Sequence, residues 1–121
     1  MQFDPNKAIY LQIADRLMDE ICAGERPPGG RMPSVREYSA EVAVNVNTLM
    51  RTYSWLTDRG VIFTKRGLGY FVADDAKERI LNLRRQAFFN GEAEYFFSRL
   101  AAFGFSPEQL AEAYRQYLEQ F

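Results

Sequence analysis

A change of period at Gly60 constrains this chain more than any other feature. Upstream, Ile9, Ile13, Leu17 and Ile21 recur every four residues with Leu11, Ala14 and Met18 beside them, and Leu49, Tyr53 and Leu56 repeat the pattern. Both are apolar stripes of helices. Downstream, VIFTK and YFVA flank Arg66-Gly67-Leu68-Gly69. Such β-branched and aromatic runs around a glycine turn predict a hairpin.

The boundaries follow from local chemistry. A first helix is expected from about Lys7 to Ala23, ended by Gly24, and GERPPGGR is a rigid loop. Ser34-Val35-Arg36-Glu37 is a capping box, so a short second helix starts there and runs to about Glu41. Asn45 suits the cap of a third helix and Gly60 its exit. At 100° per residue, Leu49, Tyr53 and Leu56 share one face of that helix, and Asn47, Arg51, Ser54 and Asp58 the opposite one. Trp55 falls between them and is read as packing. A short extended stretch at Gly30–Met32 is expected to complete the small sheet.

The third helix is unusual for one facing only water, because no acidic residue occurs in it before Asp58. Solvated helices usually mix both charge signs. The chain has a formal charge of −1, yet within Val42–Ala73 Arg51, Arg59, Lys65 and Arg66 stand against Asp58 alone. Distribution matters more than the sum. Helix, helix, acid-depleted helix and basic hairpin are the layout of a winged helix-turn-helix, whose recognition helix lies in the DNA major groove.

From Asp74 the composition shifts. Ten of the 18 aromatic residues fall between there and Phe121. Helices are expected at Ala76–Asn90, Glu92–Phe103 and Pro107–Gln120, the last with Ser106 as cap, Pro107 at its first position and Gln109 closing a box. The organisation expected is a DNA-binding domain over residues 1–73 and a helical dimerisation domain over 74–121. The fold class is thus mainly α with a small β-hairpin wing.

Several function classes are excluded. Cys22 is the single cysteine and there is no histidine, which removes disulfide frameworks, His-ligated zinc and His-based triads. Cys22 is expected to pack as a small buried hydrophobe. Without histidine, Asp74, Asp75 and Glu78 have no neutral nitrogen partners and are read as a solvated linker, so no metal site and no cofactor are expected. Glu92 and Glu94 lack a nucleophile or base arrangement, so the chain is not read as an enzyme. No apolar run approaches the ~20 residues that span a bilayer, and MQFDPNK lacks the features of a secretory signal. A cytoplasmic location without membrane contact is expected.

The stretch MPSVREYSAEVAVNVNTLMRTYSWLTDRGVIFTKRGLGYFV resembles the DNA-binding domain of the GntR family of bacterial transcription regulators. IYLQIADRL and the PPGGRMPS loop extend the likeness to about Ile9–Val72, and the Asn-x-Asn-Thr start with Arg51 and Tyr53 is similar to the YtrA-like branch. The resemblance implies DNA contacts from Arg36 at the start of the second helix, from Asn45, Asn47, Thr48 and Arg51 on the recognition helix, and from Arg66 and Gly67 in the wing. Lys65 is a weaker candidate, as is Arg31. Arg36 has the alternative of pairing with Glu37 or Glu41, and Asn45 that of being a cap only.

Two positions depart from the pattern. Family turns commonly place Gly where Ala43 stands, so the backbone there either avoids positive φ or is strained. Many relatives carry a polar residue at Met50.

The branch implies a homodimer joined through short C-terminal helices and a duplex operator with inverted repeats. It also implies control of a transporter operon or of its own. The partner is therefore read as operator DNA and the role as repression. The residues after the wing are too few for a roomy metabolite pocket, and no effector is assigned. A winged-helix module that docks a protein instead of DNA is the alternative.

Overall fold

The computed structural model describes Gln2 to Phe121. Helices α1 (Ile9–Cys22), α2 (Val35–Val42) and α3 (Val46–Asp58) are followed by strands β1 (Ile62–Lys65) and β2 (Gly69–Val72). Helices α4 (Ala76–Asn90), α5 (Glu92–Ala102) and α6 (Pro107–Leu118) complete the order. The chain divides into two compact units, the first ending at Asn82 and the second beginning at Leu83.

In the first unit the predicted stripes form the core except at Ile9, the first residue of α1, which is exposed. Ile13, Leu17 and Ile21 of α1, Tyr38 of α2, and Leu49, Tyr53 and Leu56 of α3 are buried together with Val61, Ile62, Val72 and Ile80. Two polar side chains tie α3 into this core. The Thr52 hydroxyl donates to the Tyr10 carbonyl at 2.8 Å, and the Tyr53 hydroxyl donates to the Pro33 carbonyl at 2.7 Å. Burial pushes the Tyr53 phenol well above its ordinary pKa, so it stays a donor.

Strands β1 and β2 pair antiparallel with Phe63 opposite Phe71 and Lys65 opposite Gly69. The stretch at Gly30–Met32 joins them as expected, through an Arg31–Phe71 bridge. The Met32 amide donates to Tyr70 at 2.8 Å and the Val72 amide to Gly30 at 2.9 Å.

Helix α3 ends in a Schellman motif. The Val61 amide donates to the Leu56 carbonyl and the Gly60 amide to the Thr57 carbonyl, both at 3.0 Å. Gly60 has φ +75° and lies against Arg79, whose Nη1 would be 2.7 Å from an added Cβ. No larger residue fits there without moving that guanidinium.

The structure corrects the reading of Cys22, which is exposed. It follows Ile21, whose side chain is on the buried stripe, and one step of 100° carries it off that face. The boundaries of α1, α2, α5 and α6 differ by one or two residues from the expected ones, α2 running on to Val42. Helix α1 begins at Ile9 because Asp4 and Lys7 are held by Gln12, which accepts from the Asp4 amide and donates to both carbonyls. Helix α5 closes at Ala102, where the Phe105 amide donates to the Leu100 carbonyl and the Gly104 amide to the Ala101 carbonyl with Gly104 at φ +77°, and α6 closes at Leu118 in hydrogen-bonded turns.

Candidate nucleic-acid interface

The turn between α2 and α3 depends on Ala43, which adopts the left-handed conformation at φ 56° and ψ 46°. Of the two alternatives open for this residue, strain is the one realised. Ser39 holds the turn closed: its carbonyl accepts from the amides of Ala43 and Val44, and its hydroxyl donates to the Val44 carbonyl.

Arg36 is exposed in the first turn of α2. The Ser34 hydroxyl accepts from the Glu37 amide at 3.1 Å and the Glu37 carboxylate from the Ser34 amide at 3.2 Å. Hydrogen bonding to Ser34, through its side chain first and its backbone amide second, holds the Glu37 carboxyl below its ordinary pKa. With Glu37 engaged in the cap, Arg36 has no carboxylate partner among the described residues.

Asn45 caps α3, its Oδ1 accepting from the Asn47 amide at 2.8 Å. Its side-chain amide N–H groups are unengaged among the described residues. Asn45 and Asn47 are exposed and Thr48 is half-buried. The amides of Val46 and Thr48 have no acceptor among the described residues, so this end of α3 combines free N–H groups with the positive end of a helix dipole. One helical turn on, the Arg51 guanidinium lies 4.0 Å from the centroid of the Tyr10 ring.

At the hairpin tip the Lys65 carbonyl accepts from the Leu68 amide at 2.9 Å. Gly67 occupies the third turn position with φ +77°, and nothing stands within 4 Å of where a Cβ would be. The backbone is therefore open to close approach. Arg66 is exposed beside it with no partner among the described residues. Lys65 is less free, its ammonium lying 4.6 Å from the Phe71 ring centroid.

All eight residues thus belong to the first unit and none is buried. Together they offer cations, free backbone amides and side-chain amides, the groups that bind phosphate oxygens and base edges. Sequence reading missed two contributors. Ser39 gave no signal beyond its type, and Tyr10 is brought to Arg51 only by the packing of α1 on α3. Trp55 is half-buried as expected, with the Arg59 guanidinium 3.9 Å from its ring centroid.

The family model described as "Bacterial regulatory proteins, gntR family" matches residues 9–72. The "Uncharacterized HTH-type transcriptional regulator YhcF" of Bacillus subtilis (strain 168) is 35% identical over 118 residues, which is 98% of this chain and 96% of that protein. The "HTH-type transcriptional repressor YtrA" of the same organism is 34% identical over 83 residues, covering 67% of this chain and 64% of its own. Among solved structures, a putative transcriptional regulator of the same family from Bacteroides thetaiotaomicron superposes with a TM-score of 0.82 at 43% identity. That match covers 93% of this chain and 98% of the other.

Proposed function

The chain belongs to the GntR family of bacterial regulatory proteins and is a DNA-binding transcriptional regulator rather than an enzyme; we propose that it acts as a homodimeric repressor seated on an inverted-repeat operator by α3 and the hairpin. The observation that carries this reading is the acid-free N-terminal half of α3. Asn45, Asn47 and Arg51 are exposed there with unengaged donors, and the hairpin tip adds Arg66 and Gly67. Acidic side chains at these places would repel phosphates.

In this reading Asn47, Thr48 and Arg51 meet base edges in the major groove, Asn45 and Arg36 fix the register on the backbone, and Arg66 with Gly67 enters the adjacent minor groove. Lys65 supplies charge. The likeness to the repressor YtrA supports repression by occupancy of a promoter, and the branch suggests a transporter operon or its own as target. Such a repressor acts in the cytoplasm; no helix among the described residues is long and apolar enough to cross a membrane.

Dimerisation is supported by the second unit, where Ala93 is the one buried residue among those described. Phe88, Phe89, Phe96, Phe97, Leu110 and Tyr114 line an open apolar groove of about 680 Å³. A second copy of the chain would cover it.

Genomic fragments selected by the protein give the operator, and titrations against salt test the reading. If each subunit neutralises about four phosphates, log K falls with log[salt] at a slope on the order of −7 for a dimer. Arg36→Ala and Arg66→Ala are expected to weaken the specific complex by roughly 1–3 kcal/mol each, and Lys77→Ala to change it little. Affinity that is flat with salt, or equal losses at all three positions, would contradict the assignment.

A further inference from the structure

Arginines in this fold are held in two different ways. Arg26 and Arg79 are fixed by carboxylates, with Nε to Glu20 at 2.6 Å and to Asp75 at 2.9 Å. Arg51 is fixed by an aromatic ring: its guanidinium carbon sits 4.0 Å from the Tyr10 centroid, and no carboxylate pairs with it among the described residues. The difference matters chemically. A carboxylate engages the N–H donors, whereas a ring attracts the cation through its face and offers no lone pair to compete for them. Arg51 is thereby oriented while its donors stay available.

The ring itself is anchored. Tyr10 is the second residue of α1 and is half-buried, and its carbonyl accepts from the hydroxyl of Thr52, the buried neighbour of Arg51, at 2.8 Å. This backbone bond fixes Tyr10 against α3 one residue from the side chain it supports. It is made by the Tyr10 backbone and not by its side chain. The Tyr10 hydroxyl makes no hydrogen bond among the described residues, so the ring and not the phenol acts on Arg51.

We propose that Tyr10 is a positioning residue for operator recognition, holding the Arg51 guanidinium in its reading pose before DNA arrives. The proposal rests on the reading that α3 enters the major groove with Arg51 at a base edge. A free arginine samples many rotamers and must lose that freedom on binding; a stacked one has lost it during folding, so less affinity is forfeited on the DNA.

The test is equilibrium binding of the full-length protein to the selected operator and to a scrambled duplex, by fluorescence anisotropy. Tyr10→Ala is expected to weaken operator binding about tenfold while leaving scrambled-duplex affinity and Tm nearly unchanged. Tyr10→Phe keeps the ring and is expected to bind like the parent. In an Arg51→Ala background, which itself binds the operator more weakly, Tyr10→Ala is expected to add no further loss. A Phe variant as weak as the Ala variant, an undiminished Tyr10→Ala effect without Arg51, or full operator affinity in Arg51→Ala alone would overturn the proposal while leaving operator binding intact. A parent protein that does not distinguish operator from scrambled duplex would overturn it together with the major-groove reading.

Discussion

At the scale of single residues, the cost of Ala43 is the clearest energetic statement in the fold. An L-residue in the left-handed region brings its Cβ close to the following carbonyl oxygen, at about 1–2 kcal/mol relative to the right-handed form. Glycine avoids that clash but loses more backbone entropy on folding, roughly 0.5–1 kcal/mol. The difference favours Ala43→Gly by about 0.5–1 kcal/mol, and thermal unfolding should show a Tm raised by a few degrees. An unchanged or lower Tm would mean that the Ser39 bonds already relieve the strain. Caps and faces were legible at this scale because they depend on neighbours within four positions: Asn45 and Asn47 stand as their types and spacing require. Arg51 over Tyr10 was not, since the two are far apart in the chain and meet only through helix packing. Cys22 was misread because the usual burial of a free cysteine was applied to a position one step off the buried stripe.

At the scale of elements, the helix starts are controlled by reciprocal caps. Both boxes form, Ser34 with Glu37 and Ser106 with Gln109, and they differ in one respect: the first contains a titratable group. Bonds from the Ser34 side make the Glu37 carboxyl more acidic in the folded state than in the unfolded chain. A depressed carboxylate contributes stability that is fully present above the unfolded pKa of about 4.3 and is lost as pH falls through the lower folded value. Glu37→Gln keeps an acceptor for the Ser34 amide but cannot titrate. The parent should therefore exceed this variant in denaturant stability by more at pH 7 than at pH 2, and a gap that widens on acidification would refute the cap as the source. Both boxes and the hairpin turn were readable from short motifs. The start of α1 was not, because Gln12 reaches back eight residues to Asp4 in place of a cap at Ala8.

At the scale of the molecule, the two units differ in how much surface they hide. The first encloses a core drawn from α1, α2, α3 and the hairpin, and it includes Ala76 and Ile80 from the start of α4. The second, from Leu83 on, leaves all of its aromatic side chains exposed, Phe103 at 66% and Phe121 at 87% among them. Segments below about 40 residues seldom bury enough of their chain to be stable alone, and oligomerisation is one of the usual remedies. Two-fold packing of this unit on its copy would be self-complementary and would present two α3 helices and two hairpins to one side of a duplex. Half-site centres should then lie ~10 bp apart or a multiple of it. Ending the chain at Asn82 retains Ala76 and Ile80, so the shortened protein should stay folded, sediment as a monomer and bind a half-site weakly, having lost the avidity of paired sites. Sedimentation velocity on both forms tests this: a full-length monomer at micromolar concentration, or a shortened protein that remains dimeric, would place the dimer contact elsewhere than in the aromatic helices.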